Sequence, residues 1–203
     1  MDFEEIAKAV LLKKAGKPIE ARRCPDQYVG LIAKFPFNAD FPERISVERR
    51  PSDIKCVVMI LESPHIDEFT NSLGPAKGQT GKLIRAHFLQ VNGLSEYINH
   101  GLILMNAVQN QCSLGSSTDC YRDEVFATTW HDGAKEDFVR RLNSTFQIGD
   151  VIVNCCTKGK MKNNELRQLV QQSIPSDKGE VLRRTHPSSW YSEQNRRSQW
   201  KLA

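Results

Sequence analysis

The sequence lacks several features that would assign it to a class at once. No apolar run approaches the roughly 18 residues of a membrane span, and the opening stretch MDFEEIAKAVLLKKAG has no basic region followed by a cleavable apolar segment. Internal repeats and low-complexity tracts are also missing. These absences predict a globular protein that does not enter a membrane, with the cytoplasm as its expected location.

No pair of cysteines has the C-x-x-C spacing that many metal sites and redox motifs use. The six cysteines are Cys24, Cys56, Cys112, Cys120, Cys155 and Cys156. Cys56 and Cys155 lie in apolar runs, where a free cysteine usually acts as a small buried hydrophobe. A metal or iron–sulfur site built from Cys24, Cys112 and Cys120 stays open, but their spacing disfavours it.

What is present fits one globular domain. A chain of 203 residues with 39% hydrophobic and 26% charged residues can bury a substantial core. The net charge of +4 is unevenly placed, since residues 154–203 carry ten Lys or Arg against four Asp or Glu. Such a basic segment on a near-neutral body predicts contact with a polyanion, although a solvated surface without a partner would have the same composition.

The hydrophobic pattern predicts strands that alternate with helices. The predicted strands lie at residues 54–61, 101–106, 149–156 and 180–185. The first three are almost continuous apolar runs, as expected of parallel strands that are covered on both faces. Helical patterns lie at residues 81–91, 132–146 and 163–173, and an N-terminal helix is expected from Asp2 to about Ala15.

This alternation predicts a single three-layer α/β domain with a mainly parallel sheet. Its core is expected within residues 54–195, while residues 1–53 contribute the N-terminal helix and loops that cover the core. Residues 18–51 are assigned to those loops because they are rich in Pro, Asp and Arg and show no clear period. Asp132 is the expected N-cap of the helix at 132–146.

The segments that follow the four strands form the candidate site, because ligands bind beyond the carboxyl ends of parallel strands. They read ESPHIDEF, NAVQNQC, TKGKMK and HPSSWYS, and each contains polar, basic or histidine residues. In the first, Glu62 could orient a water molecule, stabilise a developing positive charge, or pair with an arginine. In the second, the Asn106 amide could read the edge of a nucleobase or close a turn.

The last of these segments carries a histidine in a stiffened loop. His186 is followed by Pro187, which restricts a backbone angle, and by Ser188 and Ser189, whose hydroxyl and NH groups could hold a phosphate. Taken alone, the string THPSS is a weak signal, and a surface histidine is the simpler interpretation.

Together these segments resemble the motifs of the uracil-DNA glycosylase superfamily. IKCVVMILESP is similar to the family's apolar strand and its G-E-A-P-G or G-Q-D-P-Y motif, GLILMNAV to its L-L-L-N strand end, and HPSSWYS to its late H-P-S loop. GPAKGQTGKLIR is similar to a G-P-A-G-x-L-L stretch of several branches, and GDVIVNCCTKGKMK falls where the family has a strand and a basic or small-residue loop. The order and spacing match over roughly residues 54–195.

The resemblance implies a central four-stranded parallel sheet and an enzyme that flips a base out of DNA and hydrolyses its N-glycosidic bond, leaving an abasic site. His186 would donate a hydrogen bond to the departing base, Asn106 would read the base edge, and Glu62 would place the attacking water. The reaction needs no metal or organic cofactor. The expected partner is DNA, bound by a monomer.

The resemblance also implies a set of DNA contacts in the last two segments. Ser188 and Ser189 would hold a backbone phosphate, and Trp190 or Tyr191 would fill the space left by the flipped base. The basic residues expected to contact the DNA backbone are Lys158, Lys160 and Arg184.

The sequence departs from the family at the positions that select uracil. Ser63 replaces the aspartate of the best-known members, His65 replaces the tyrosine that blocks the thymine methyl group, and the aromatic that stacks on uracil falls near Ala76. Phe69 is the alternative stacking residue. These changes open the pocket beside the pyrimidine C5 atom. The expected substrate is therefore uracil or a bulky modified pyrimidine, such as hydroxymethylated or glucosylated cytosine in viral DNA. Excision of such a modified base would give the protein a role in antiviral defence.

Two other classes of protein are compatible with parts of the sequence. With Ser63 in place of the aspartate, the chain could be a catalytically silent DNA-binding relative, although retention of Glu62, Asn106 and His186 favours an enzyme. A small-molecule α/β hydrolase is disfavoured, because the sequence has no G-x-S-x-G nucleophile motif.

Overall fold

The computed structural model describes residues 2–12, 22–37, 39–69, 73–112, 118–159 and 165–202. Lys160 and the side chain of Cys120 lie outside this description. The helices are α1 Phe3–Leu12, α2 Gln79–His87, α3 Thr118–Thr129, α4 Lys135–Thr145, α5 Leu166–Ser173 and α6 Glu193–Arg197. The strands are β1 Gln27–Leu31, β2 Ile45–Ser46, β3 Cys56–Leu61, β4 Gly101–Asn106, β5 Val151–Asn154 and β6 Val181–Arg183. None of the helices in this part of the chain has the length and apolarity to cross a membrane.

The strands form one mixed sheet of six strands in the order β2-β1-β4-β3-β5-β6. β4, β3, β5 and β6 run parallel to one another, whereas β1 runs antiparallel to both β4 and β2. The mixed α/β class is thus confirmed. The expected four-stranded, mainly parallel sheet is wrong, because β1 and β2 extend it at one edge through antiparallel pairings.

The two further strands come from residues 18–51, which the sequence pattern assigns to covering loops. β1 pairs with β4, placing Tyr28 opposite Ile103, so it satisfies backbone groups that would otherwise stay unpaired at a sheet edge. The strand is hard to recognise because its register shifts between Tyr28 and Leu31, where Gly30 has a φ of 108°. Pairing with β4, rather than a local alternating pattern, makes this segment a strand.

Two apolar cores cover the two faces of the sheet. Every side chain of β3 and β4 is buried, and successive residues point to opposite faces. Val58 and Ile103 belong to the core that includes side chains of α1, α3, α4 and α5. Val57 and Leu104 belong to the core that includes α2 and Trp190. The continuous apolar runs therefore reflect strands with helices on both sides.

A kink joins α3 to α4. Residues 130–134 form a π-type turn in which Asp132 and Gly133 leave helical geometry, with φ of −107° and 107°. Gly133 suits this position because a positive φ is unfavourable for residues that carry a Cβ. The N-cap of α4 is Ala134, so the predicted capping role of Asp132 is wrong.

The strand register aligns the carboxyl ends of the parallel strands. Leu61 lies opposite Asn106, and Asn154 lies opposite both Ile60 and Arg183. The segments that leave β3, β4, β5 and β6 therefore start from the same edge of the sheet. This is the edge at which the predicted site residues lie.

Candidate functional site

A cavity of about 270 Å³ opens at this edge of the sheet. The connection from β3 to α2 supplies most of its lining, including Glu62, Ser63, His65 and Glu68. The end of β3 and the start of α2 contribute Leu61, Gln79 and Thr80, and the other lining residues are Arg122 of α3, Thr157 after β5, and His186 and Ser188 after β6. Three of the four segments predicted from the strand ends therefore meet around one cavity.

Glu62 is held in one orientation by a cation and a threonine. Its Oε1 lies 2.8 Å from Nε of Arg122, and its Oε2 accepts hydrogen bonds from the backbone N–H of Thr157 at 3.1 Å and from the Thr157 hydroxyl. Burial raises the pKa of the Glu62 carboxyl, while Arg122 and the two Thr157 donors oppose that change. These contacts fix the position of a buried acidic group at the cavity wall.

The His186 ring is held by the turn that follows it. Its Nδ1 lies 2.8 Å from Oγ of Ser188 and accepts the Ser188 backbone N–H at 3.3 Å. Because a backbone N–H can only donate, Nδ1 is the acceptor, and the hydrogen of the neutral ring is on Nε2. Burial, together with the nearby Arg122 cation, lowers the pKa of His186 to about 4. At neutral pH the ring is therefore an uncharged donor.

Glu68 is a cavity residue that the sequence interpretation missed. It is only 4% exposed, and its Oε1 accepts the backbone N–H of His65 at 3.1 Å. Its Oε2 accepts Nδ2 of Asn106 at 3.2 Å and the Cys24 thiol at 3.6 Å. Burial raises the pKa of Glu68 to about 7. Glu68 lies inside the ESPHIDEF segment that follows β3. Its position after that strand is the sequence feature that could have identified it as a candidate site residue.

Asn106 does not reach the cavity lining in this structure. It is 1% exposed, its Nδ2 is bonded to Glu68, and its buried Oδ1 has no hydrogen-bond partner among the residues that the structure describes. Arg141 holds this end of β4 by donating to the backbone oxygens of Asn106 and Ala107, both at 3.0 Å. In this structure the Asn106 amide therefore contacts Glu68, and its contact with a base stays a prediction.

Of the residues predicted to select the base, two line the cavity and two do not. Ser63 and His65 belong to the lining, and Nδ1 of His65 lies 3.2 Å from Oδ2 of Asp67. Ala76 is fully buried in the apolar core, with a φ of 54°. Phe69 faces the Arg22 guanidinium, which lies 5.8 Å from the ring centroid. The predicted base-stacking roles of Ala76 and Phe69 are not supported, since neither residue lines the cavity.

Two of the residues that were predicted to contact DNA are buried. Trp190 has no exposed surface, and its Nε1 donates to the Thr185 carbonyl at 3.0 Å. Arg184 is 4% exposed, and its Nε donates to the Asn92 carbonyl at 2.6 Å. Both side chains stabilise the packing behind the His186 loop, so neither can touch DNA from this position. Tyr191, the other wedge candidate, is 71% exposed.

The remaining predicted contacts differ in how accessible they are. Ser188 is exposed and lines the cavity, whereas the Ser189 hydroxyl donates to the His186 carbonyl at 2.8 Å. Lys158 is exposed, and its Nζ lies 3.3 Å from a carboxylate oxygen of Glu165. Ser188 and Lys158 are therefore available at the surface, while Ser189 mainly stabilises the loop.

Metal ligation is not indicated in the part of the chain that the structure describes. Among those residues, no three His, Cys, Asp or Glu side chains are arranged to hold a metal ion. Cys24, Cys56, Cys112, Cys155 and Cys156 are free thiols in buried positions.

Comparison with known protein families, with characterised proteins and with solved structures finds no match to this chain.

Proposed function

We propose that this protein is a DNA glycosylase that binds a flipped-out base in the cavity and hydrolyses its N-glycosidic bond. The observation that carries the proposal is the neutral His186 ring, an N–H donor in a cavity that also contains a fixed Glu62 carboxyl. Departure of a base from deoxyribose leaves negative charge on the base and positive charge on the sugar. A donor and an acidic group in one cavity match that charge separation.

His186 is suited to stabilise the leaving base. Ser188 occupies Nδ1, so the N–H donor is Nε2, and the ring needs no protonation to act. Because its pKa is about 4, this donor is present across the physiological pH range. The loss of one donor to a developing anion typically lowers a rate by about 10²- to 10³-fold.

Glu62 is suited to hold the attacking water. A carboxylate offers about four acceptor positions, and three donors from Arg122 and Thr157 are bonded to it. Within the described part of the chain these contacts leave one acceptor position on the carboxylate, which a water molecule in the cavity would occupy, and the three donors restrict where that water can sit. In this proposal Glu62 is a water-placing residue, in agreement with the role that the family resemblance implies.

The partner in this proposal is DNA. The surplus of Lys and Arg in residues 154–203 would attract the phosphate backbone. Tyr191 is 71% exposed next to the loop that holds His186 and Ser188, so it is the proposed residue that fills the space left by the base.

The proposed substrate is a modified pyrimidine, with uracil as the alternative. Ser63 and His65 line the cavity, so the expectation of a widened pocket rests on these two positions and no longer on Ala76. Cleavage of a hydroxymethylated or glucosylated cytosine would give the protein a role in defence against viruses that carry such bases.

The test is a cleavage assay on oligonucleotides that contain uracil, hypoxanthine, or modified cytosines, followed by detection of alkali-labile abasic sites. The wild type should cleave at least one of these bases. His186→Ala should lower the rate by about 10²- to 10³-fold and leave DNA affinity nearly unchanged. His131→Ala is the matched control, because His131 is exposed on the kink between α3 and α4.

Two results would contradict the proposal. One is DNA binding without cleavage of any base in the panel, which would indicate the catalytically silent relative. The other is a His186→Ala variant that cleaves as fast as the His131→Ala control.

A further inference from the structure

Glu68 is a buried carboxyl group in the cavity lining that the mechanism above does not use. Asn106 lies behind it, is absent from the lining, and donates its Nδ2 to Oε2 of Glu68 at 3.2 Å. The backbone N–H groups of His65, at 3.1 Å, and of Ala76 also donate to this carboxyl group, so the contact that an incoming N–H donor would displace is the 3.6 Å one from the Cys24 thiol. A ligand in the cavity would therefore meet the Glu68 carboxyl group before it could meet the Asn106 amide.

We propose that Glu68 contacts the hydrogen-bonding edge of the bound base, and that Asn106 is the positioning residue that orients the Glu68 carboxyl group. The inference rests on the proposed function, because it assumes that the cavity holds a base. A carboxyl group accepts hydrogen bonds from base N–H groups, as it does from a cytosine amino group. The bound edge therefore carries an N–H donor, which is the amino group of a cytosine-type base or the ring N–H of a uracil-type base.

These two edges require different protonation states of Glu68. A cytosine-type edge places a ring-nitrogen acceptor beside an amino donor, and a protonated carboxyl group matches it with one donor and one acceptor. A uracil-type edge places a ring N–H between two carbonyl oxygens, and an ionised carboxylate matches that N–H. Because the pKa of Glu68 is about 7, both states are accessible near neutral pH. Affinity for a cytosine-type base should fall as the pH rises through about 7, and affinity for a uracil-type base should rise.

Other titratable groups near Glu68 must be distinguished from it. The Cys24 thiol lies 3.6 Å from the carboxylate, and burial raises its pKa, so it stays neutral. His186 has a pKa of about 4 and stays uncharged near neutral pH, and Glu62 is held in an ion pair. The His65 ring also lines the cavity, and its Nδ1 lies 3.2 Å from Oδ2 of Asp67. The other charged side chains of the lining are Asp67, Lys77 and Arg122.

The test measures binding of uncleaved DNA by the full-length protein. Oligonucleotides carry either a 2′-fluoro-2′-deoxycytidine or a 2′-fluoro-2′-deoxyuridine, which resist hydrolysis, and fluorescence anisotropy is recorded from about pH 5 to about pH 9. Each affinity is divided by that for the same oligonucleotide with a tetrahydrofuran abasic site at this position, which has no base edge for Glu68 to contact. The variants are Glu68→Gln, His65→Asn, and Glu136→Gln as the matched control, because Glu136 is exposed on α4.

The relative affinity of the wild type should change by about 10- to 100-fold in a step centred near pH 7. A fall with rising pH identifies a cytosine-type edge, and a rise identifies a uracil-type edge. Glu68→Gln should abolish the step, because an amide keeps one donor and one acceptor at every pH. His65→Asn and Glu136→Gln should retain the step. Asn106→Ala, which removes a donor to the ionised carboxylate, should move the step to higher pH.

The possible failures are distinguishable. A wild type without a step, or a step that Glu68→Gln retains, overturns the role of Glu68 whether or not DNA is cleaved. A step that Glu68→Gln abolishes, in a protein that cleaves none of the panel bases, supports the role of Glu68 and overturns the glycosylase proposal. If Glu68→Gln does not fold, the position of the step in Asn106→Ala decides, and an unmoved step overturns the inference.

Discussion

The Glu68→Gln variant also gives a direct measure of what burial does to the cavity carboxyl group. Burial raises the pKa of Glu68 from an ordinary value of 4.5 to about 7, so the folded protein keeps a proton that the unfolded chain releases. The contribution of this group to stability is therefore fully present below pH 4.5 and is lost as the pH rises through about 7. The loss amounts to about 3 kcal/mol, at about 1.4 kcal/mol for each pH unit between the two values.

A glutamine has no proton to release, so the variant should not show this loss. His186 acts in the opposite sense, because burial lowers its pKa from 6.5 to about 4. Its contribution is present above pH 6.5 and is lost as the pH falls through about 4. Since His186 is the same in both proteins, the difference between their free energies of unfolding isolates Glu68. Between about pH 4.5 and about pH 8, the variant should gain about 3 kcal/mol relative to the wild type.

Urea unfolding followed by tryptophan fluorescence can measure this difference. Trp130, Trp190 and Trp200 are all at most 5% exposed, so their emission should change when the core opens. Glu136→Gln, at an exposed position on α4, serves as the control and should follow the wild type at every pH. A difference between Glu68→Gln and the wild type that stays constant across the pH range would refute the reasoning, because it would mean that Glu68 ionises alike in both states.

Three further predictions concern the loop after β6. His186 should stay neutral with its hydrogen on Nε2 from about pH 8 down to about pH 5, because Ser188 donates to Nδ1. Imidazole ¹⁵N chemical shifts measure this protonation state. A protonated ring at about pH 6 would contradict the prediction. Trp190→Ala should lower the free energy of unfolding by about 3–5 kcal/mol, because the ring is fully buried and bonded to the Thr185 carbonyl. Tyr191→Ala should leave the thermal midpoint almost unchanged and weaken DNA binding by about tenfold, because Tyr191 is 71% exposed. Thermal unfolding followed by circular dichroism measures the stability of the two variants, and fluorescence anisotropy measures their DNA binding. A destabilised Tyr191→Ala variant beside a stable Trp190→Ala variant would be evidence against the assignment of Trp190 to packing and Tyr191 to DNA contact.

The local hydrophobic pattern of the sequence was sufficient to predict the central strands of the sheet and two of the helices. The apolar runs at 54–61 and 101–106 coincide with β3 and β4, because a parallel strand covered on both faces has no polar face to interrupt the run. The helical patterns at 132–146 and 163–173 contain α4 and α5. They could be predicted because each helix has an apolar stripe that packs in the core against the sheet. β1 escaped recognition because it is irregular and depends on the open edge of β4.

Neighbouring residues show where local pattern ceases to be informative. Glu68 is 4% exposed, whereas the side chain of Asp67, one position earlier, is 55% exposed. Trp190 is fully buried and Tyr191 is 71% exposed. Both pairs are chemically similar, and nothing in their immediate sequence distinguishes them. The packing of distant elements over the loop decides which member is covered.

By itself the sequence determined the mixed α/β class, the strands at the centre of the sheet, and the segments that follow them as the candidate site, because hydrophobic period and chain order are local properties. Only the tertiary structure decided the six-stranded mixed sheet, the ion pair of Glu62 with Arg122, and the covering of Asn106 by Glu68. The same holds for the pKa values of Glu68 and His186, which depend on burial. Burial and charge pairing are set by groups that lie far apart along the chain, and only the folded arrangement brings them together.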